Sequence, residues 1–359
     1  MFSLSIARDL MQLQTLSVTE CCKMEVLISS EEEGDQNEIA STTTETTDKI
    51  VFPKLKELNL EDLPSFTAIC KAINGIELPQ LNRLDLWWIP KLNSFCNTLD
   101  SNYDTIQPLF NKFSLSTNGR LDVTGIDEPT EIWHNQLEVG CLDKVGFMRV
   151  QCCGKLSSVV SSKLMQRLHN IQGLKVWWCD SLEMIFDLQE GGCADVAEKE
   201  TLITQLSELL LKYLPKLTHI WKNISQRTHC FKNLSSLKVQ HCDNLRYIFT
   251  ISMANVLVNL DDLTVEHCEK VEKIVTRENG EEIFSLEIFT VNLKNLPSLV
   301  CFGPDLNDTE IPAEETTVYH CPKFPGNDDD FHWEELGIRY HFDIDVDKLC
   351  EHEDEYDRL

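Results

Sequence analysis

Three dipeptides, His241-Cys242, His267-Cys268 and His320-Cys321, carry the nitrogen and sulfur donors that zinc prefers. No CxxC pair accompanies them. In an extended strand neighbouring side chains point to opposite faces, so each imidazole is expected outward where its thiol points inward. One ion cannot then hold both, and a structural thiol is the expected role. Nucleophilic catalysis has no firmer footing. Cysteine, histidine and aspartate are scattered along the chain without the local signature that surrounds a nucleophile in known hydrolase families. A GxxxxGK[ST] phosphate loop is absent, so nothing is expected to cradle a nucleotide phosphate. No catalytic residue, cofactor or metal is expected, and the chain does not read as an enzyme.

Charge narrows the partners. The 359 residues carry a net charge of −27, which opposes binding of nucleic acid or of an anionic membrane over the whole surface. Met1 to Gln12 lacks the basic start and long apolar run of a secretory signal, and no stretch approaches eighteen uninterrupted apolar residues. The 15 cysteines, an odd number, then imply a reducing, cytoplasmic setting and free thiols rather than a disulfide framework.

The cysteines fall inside a repeat. Apolar residues recur at relative positions 0, 3, 5, 8, 11 and 14, as in Leu260, Leu263, Val265, Cys268, Val271 and Ile274. The same frame starts at Leu13, Leu55, Leu81, Val145, Ile171, Leu206, Leu234 and Ile288, with weaker copies from Asn118 and Ala313. Positions 3 and 5 alternate as a short strand does, and positions 8, 11 and 14 line the returning segment. A single repeat cannot bury that face, so neighbours stack around one continuous core. Two endings alternate at position 8: a cysteine, or an apolar residue followed by proline, as at Leu63-Pro64 and Leu214-Pro215. Proline lacks the N–H that another sheet bond requires and ends the strand. Phe2, Ser5, Ala7, Leu10 and Leu13 align at one offset with Phe249, Ser252, Ala254, Leu257 and Leu260, and suit a short helical turn on the outer face. The expected fold is an α/β solenoid, horseshoe-shaped, with a parallel β-sheet on its concave face.

About eleven repeats fill residues 1–325, with acidic or polar loops inserted at 31–48, 96–112, 187–200 and 276–282. Residues 326–359 are strongly acidic and are expected to form a C-terminal cap and solvated tail. Met1 falls inside a repeat, as in a truncated product or a piece of a longer chain.

The frame LxxLxVxxCxxLxxI, alternating with LxxLxLxxLPxLxxI as in Leu206–Ile220, resembles the C-terminal leucine-rich repeats of plant coiled-coil nucleotide-binding leucine-rich-repeat disease-resistance proteins. Ile132-Trp133-His134-Asn135 and Ile220-Trp221-Lys222-Asn223 strengthen the likeness. The resemblance implies an immune-receptor recognition and autoinhibitory region. Its partner would be a pathogen effector, a guarded host protein or the nucleotide-binding domain of a fuller receptor. A standalone adaptor or scaffold, for example one presenting substrates to a ubiquitin ligase, is the alternative.

On either reading the partner is expected on the outward strand positions 2, 4 and 6, with 7 beside them. These positions bring Arg83, Asp85, Trp87 and Trp88 together in one repeat, and Lys175, Trp177 and Trp178 in another. Arg149, Lys212, Tyr213, Lys238, His241 and His267 join them on nearby strands. Tryptophan, tyrosine and arginine are the types enriched at interface hot spots.

Overall fold

A computed structural model describes residues 2–29, 49–71, 75–97, 109, 113–115, 119–127, 145–161, 168, 170–187, 205–222, 231–277, 286–305, 308 and 310–325. They belong to one compact unit, Met1–Asn327. The expected tail beyond it lies outside the described residues. So do most residues of the four inserted loops; of those described, Cys96, Asp187 and Thr276 belong to strands and Leu109 is buried in the core, rather than lying in polar loops.

Each copy of the frame contributes one strand to a single parallel sheet of eleven, in chain order. The strands are β1 (Thr15–Thr19), β2 (Glu57–Glu61), β3 (Arg83–Trp87), β4 (Gly119–Thr124), β5 (Val145–Gln151), β6 (Gly173–Trp177), β7 (Glu208–Lys212), β8 (Ser236–Gln240), β9 (Asp262–Glu266), β10 (Ile288–Lys294) and β11 (Ala313–Tyr319). The weaker copies from Asn118 and Ala313 supply β4 and β11. Register holds from repeat to repeat: Leu209, Leu237, Leu263 and Val291 are successive partners at position 3, and all are sealed from solvent. Positions 5, 8, 11 and 14 are buried alike, so Val265, Cys268, Val271 and Ile274 join the same core. At the first repeat that core is thinner, with Leu13, Leu16, Val18, Cys21 and Met24 only partly buried.

The returning side is more extended than the sequence suggests. After position 11 most repeats form a second short parallel strand, including Val26–Ser29, Ala68–Lys71, Ser158–Ser161, Met184–Asp187, His219–Lys222, Tyr247–Thr250 and Lys273–Thr276. Consecutive apolar residues such as Ile248-Phe249 and Ile274-Val275 explain this, because both are buried and pack on either side of the strand. Helix is confined to α1 (Leu4–Asp9) and α2 (Ile251–Ala254) among the described residues, where the two matching segments predict it. Ser3 and Thr250, at equivalent places, cap them by accepting the amide N–H three residues on.

Position 7 has a backbone the sequence does not reveal. Every described non-glycine residue with positive φ stands there: Glu20, Asp62, Trp88, Cys152, Trp178, Tyr213, His241, His267, Asn295 and His320, all between 50° and 55°. Gly125 fills the same place in β4's repeat at 63°. Such a conformation ordinarily disfavours a β-carbon. Wherever a further strand follows, it aims the N–H at that strand's position-6 carbonyl, as from Trp178 to Lys212 (3.2 Å), Tyr213 to Gln240 (3.0 Å) and His241 to Glu266 (3.1 Å).

Candidate functional site

Alternation places positions 2, 4 and 6 of every strand on the side away from the core, and the kink at position 7 adds a fourth row along one edge. Of the residues expected on this face, Arg83, Trp88, Lys238 and His267 are exposed. Trp87, Lys175, Trp178, Lys212, Tyr213 and His241 are half-buried. Asp85, Arg149 and Trp177 depart from the expectation of an open surface, because all three are buried, at 7, 5 and 7 % exposure. Lateral contact is the cause. Strands about 4.8 Å apart let long side chains meet across them. The Arg149 guanidinium lies 5.3 Å from the centre of the Trp177 ring, and its Nε is 4.0 Å from Asp122. Burial pushes the Asp85 carboxyl up from its ordinary range, against the pull of Arg83.

The position-7 row forms a ladder. Trp178 stacks on Tyr213 with ring centres 5.4 Å apart, Tyr213 on His241 at 4.5 Å, and His241 on His267 at 4.6 Å, with planes within 10° at each step. Asn295 extends it: its amide donates to His267 Nε2 (3.2 Å), and its Oδ1 accepts from His320 Nδ1 (3.1 Å). Six strands thus present one continuous edge of planar groups. Burial, and then the neighbouring His267, hold the His241 imidazole below its ordinary range, so the stack is neutral there at pH 7.

Beside the ladder run the cations. Lys212 makes no ion pair among the described residues, Lys238 reaches Asp262 at 3.6 Å, and Lys294 reaches Glu266 at 3.3 Å. Lys212 is the register partner of Trp177 and adjoins Tyr213, so a charge and two flat apolar surfaces share one patch. Asp122, Arg120 and Phe147 belong to the same face, as do the ladder's Asn295 and His320. The frame applied at positions 2, 4 and 7 of the β4, β5, β10 and β11 repeats points to all of them.

The His-Cys dipeptides separate for a different reason than strict alternation. The histidine stands past the strand's end in the left-handed turn, while the cysteine at position 8 enters the core. Each position-8 thiol then donates to the carbonyl two residues earlier: Cys153 to Gln151 (3.3 Å), Cys179 to Trp177 (3.5 Å), Cys268 to Glu266 (3.3 Å) and Cys321 to Tyr319 (3.4 Å). A carbonyl has two lone pairs, so it takes this thiol as well as the preceding repeat's position-7 amide. Cysteine therefore serves as a small buried residue with one donor for the turn. The described cysteines are free thiols, and no three His, Cys, Asp or Glu among the described residues cluster closely enough to hold a metal ion.

Residues 119–269, which span β4 to β9 and most of the ladder, match a family model described as plant disease resistance protein RPS2-like, leucine-rich repeats. Neither the curated proteins nor the solved structures yield a match to the chain.

Proposed function

We propose, from the premise that residues 119–269 are leucine-rich repeats of the plant disease-resistance type, that the chain recognises another protein through its parallel-sheet face. The reading extends to the effector-sensing and autoinhibitory role of an intracellular immune receptor. The partner is then a pathogen effector, a guarded host protein or a receptor's nucleotide-binding domain, met in the cytoplasm. No described helix is long and apolar enough to cross a membrane.

One observation carries the proposal: the unbroken Trp178–Tyr213–His241–His267 stack beside Lys212, which makes no ion pair among the described residues. Rigid aromatic side chains lose little freedom on binding, and a half-desolvated lysine beside them adds direction and association rate. Proximity labelling in leaf tissue, followed by affinity measurement on the recovered protein, tests it. Trp178→Ala and Lys212→Glu should each reduce capture, with a hot-spot aromatic contributing about 2 kcal/mol, close to thirtyfold in Kd. Glu269→Ala, on an exposed turn off the face, should leave it unchanged. Full capture by both face variants would remove the sheet face as the interface.

A further inference from the structure

Asn295 stands between two histidines in the position-7 row, with His267 after the preceding strand, β9, and His320 after the following one, β11. A primary amide is not symmetric: its nitrogen only donates and its oxygen only accepts. Asn295 turns its nitrogen to His267 Nε2 (3.2 Å) and its oxygen to His320 Nδ1 (3.1 Å). An imidazole that receives an amide N–H must hold a lone pair at that nitrogen, so neutral His267 carries its proton on Nδ1. An imidazole that meets an amide oxygen must donate, so neutral His320 also carries its proton on Nδ1. The bond made by one ring nitrogen fixes the state of the other. One side chain thus imposes on both rings the tautomer that a free histidine side chain disfavours.

The two remaining ring nitrogens then have defined roles. Both histidines are exposed, and neither His267 Nδ1 nor His320 Nε2 has a hydrogen-bond partner among the described residues. His267 Nδ1 is a donor and His320 Nε2 an acceptor, two strand spacings or roughly 10 Å apart. Stacking holds the rings in place: His267 lies on His241 with centres 4.6 Å apart, and His320 on Tyr319 at 3.9 Å. The charged residues just before His267 and Asn295, Glu266 and Lys294, pair with each other at 3.3 Å. The pattern left on this edge is uncharged and has a direction.

We propose that Asn295 is a positioning residue of the recognition face. It orders the edge into a donor at His267 and an acceptor at His320. The protein partner meets them with an uncharged acceptor, such as a main-chain carbonyl, and an N–H or O–H donor, in that sequence. This rests on the sheet face being a protein interface.

The test uses the full chain with histidine labelled at its ring nitrogens, whose NMR shifts report the tautomer. At about pH 8.5, above the ordinary imidazole range, both His267 and His320 should carry the proton on Nδ1. Asn295→Asp offers oxygen to both rings, so His267 should gain a proton on Nε2 while His320 keeps its Nδ1 proton. Asn295→Leu removes both bonds, and both rings should return to the Nε2–H form. The turn should tolerate this change, because the row already seats tryptophan, tyrosine, glutamate and cysteine at the same backbone angle. Asn295→Leu should also weaken capture of the partner recovered by proximity labelling about tenfold. Wild-type rings protonated on Nε2, or an unchanged His267 in the Asp variant, would overturn the assignment. If the tautomers respond, Trp178→Ala weakens capture and Asn295→Leu does not, the positioning role falls and the interface stands. If neither variant affects capture, the interface reading falls first.

Discussion

Placing a carboxylate at Leu263 tests the shared core at its centre. Leu263 lies in β9 with no exposed surface, between Leu237 of β8 and Val291 of β10, which are equally sealed. Cutting a buried leucine back to alanine costs ~2–5 kcal/mol, the lost burial and the residual cavity together. Leu263→Asp adds an unpartnered polar group, worth roughly 1–3 kcal/mol more even when it stays protonated. The sum is comparable with the ~5–15 kcal/mol that holds a whole domain folded. Stacked repeats touch only their neighbours, so the damage should centre on β8 to β10. Hydrogen exchange reads this directly. The amides of Asp262, His241 and His267, bonded to Ser235, Glu266 and Lys294, should lose protection. Those of Asp62 and Trp88, bonded to Trp87 and Thr124 several strands away, should keep most of it. Unchanged melting with full protection at His241 and His267 would refute the register, and uniform loss at both sets would refute coupling by nearest neighbours.

The repeat thiols give a second test: Cys153, Cys179, Cys242 and Cys268 should resist alkylation until the protein is denatured, whereas exposed Cys22 should react at once. Burial and then the adjacent Cys268 push the Cys242 thiol up, which lowers its thiolate fraction as well as its access. For pH, the His241 imidazole is held below its ordinary 6.5 by burial and by His267, with Lys212 adding to the effect and Asp243 and Glu266 opposing it. Its stabilising contribution is complete above pH 6.5 and declines as pH falls toward the lowered folded value, so His241→Gln should flatten the melting temperature over that range. Gly119→Ala should lower the melting temperature, since a β-carbon there would lie 2.4 Å from the Asn82 carbonyl oxygen. Gly146→Ala, with nothing within 4 Å, is the matched control and should not.

The eleven strands were legible because the signal that encodes them is local. Leu263 and Val265 straddle one outward residue, and repetition of that pair fixes both the strand and its inward face. The second set of strands was harder to foresee, since Ile248-Phe249 reads equally well as the inner side of a turn or as a doubly buried strand. The two short helices followed from a matched pair of segments, though their caps, Ser3 and Thr250, did not. The face was legible in membership but not in depth. Trp177 and Trp87 occupy the same position in their repeats, yet only Trp177 is buried, with Arg149 from the neighbouring strand over its ring. Burial on a sheet face depends on which side chains stand beside one another twenty-odd residues apart, which no single repeat contains. The left-handed turn stayed hidden because position 7 accepts acids, aromatics, Cys, Asn and Gly alike.

That indifference has an evolutionary consequence. Each unit closes on its neighbour by main-chain groups alone at position 7, so the joint does not depend on the side chain carried there. Recombination that duplicates Leu234–Asn259 in frame would insert one more strand, one more thiol-closed turn and one more histidine in the stack, with Lys238 repeated beside it. The inserted unit would meet the same carbonyls on both sides. A gene built this way can lengthen, shorten or reshuffle its exposed edge by whole units while the core that holds it is rebuilt unchanged.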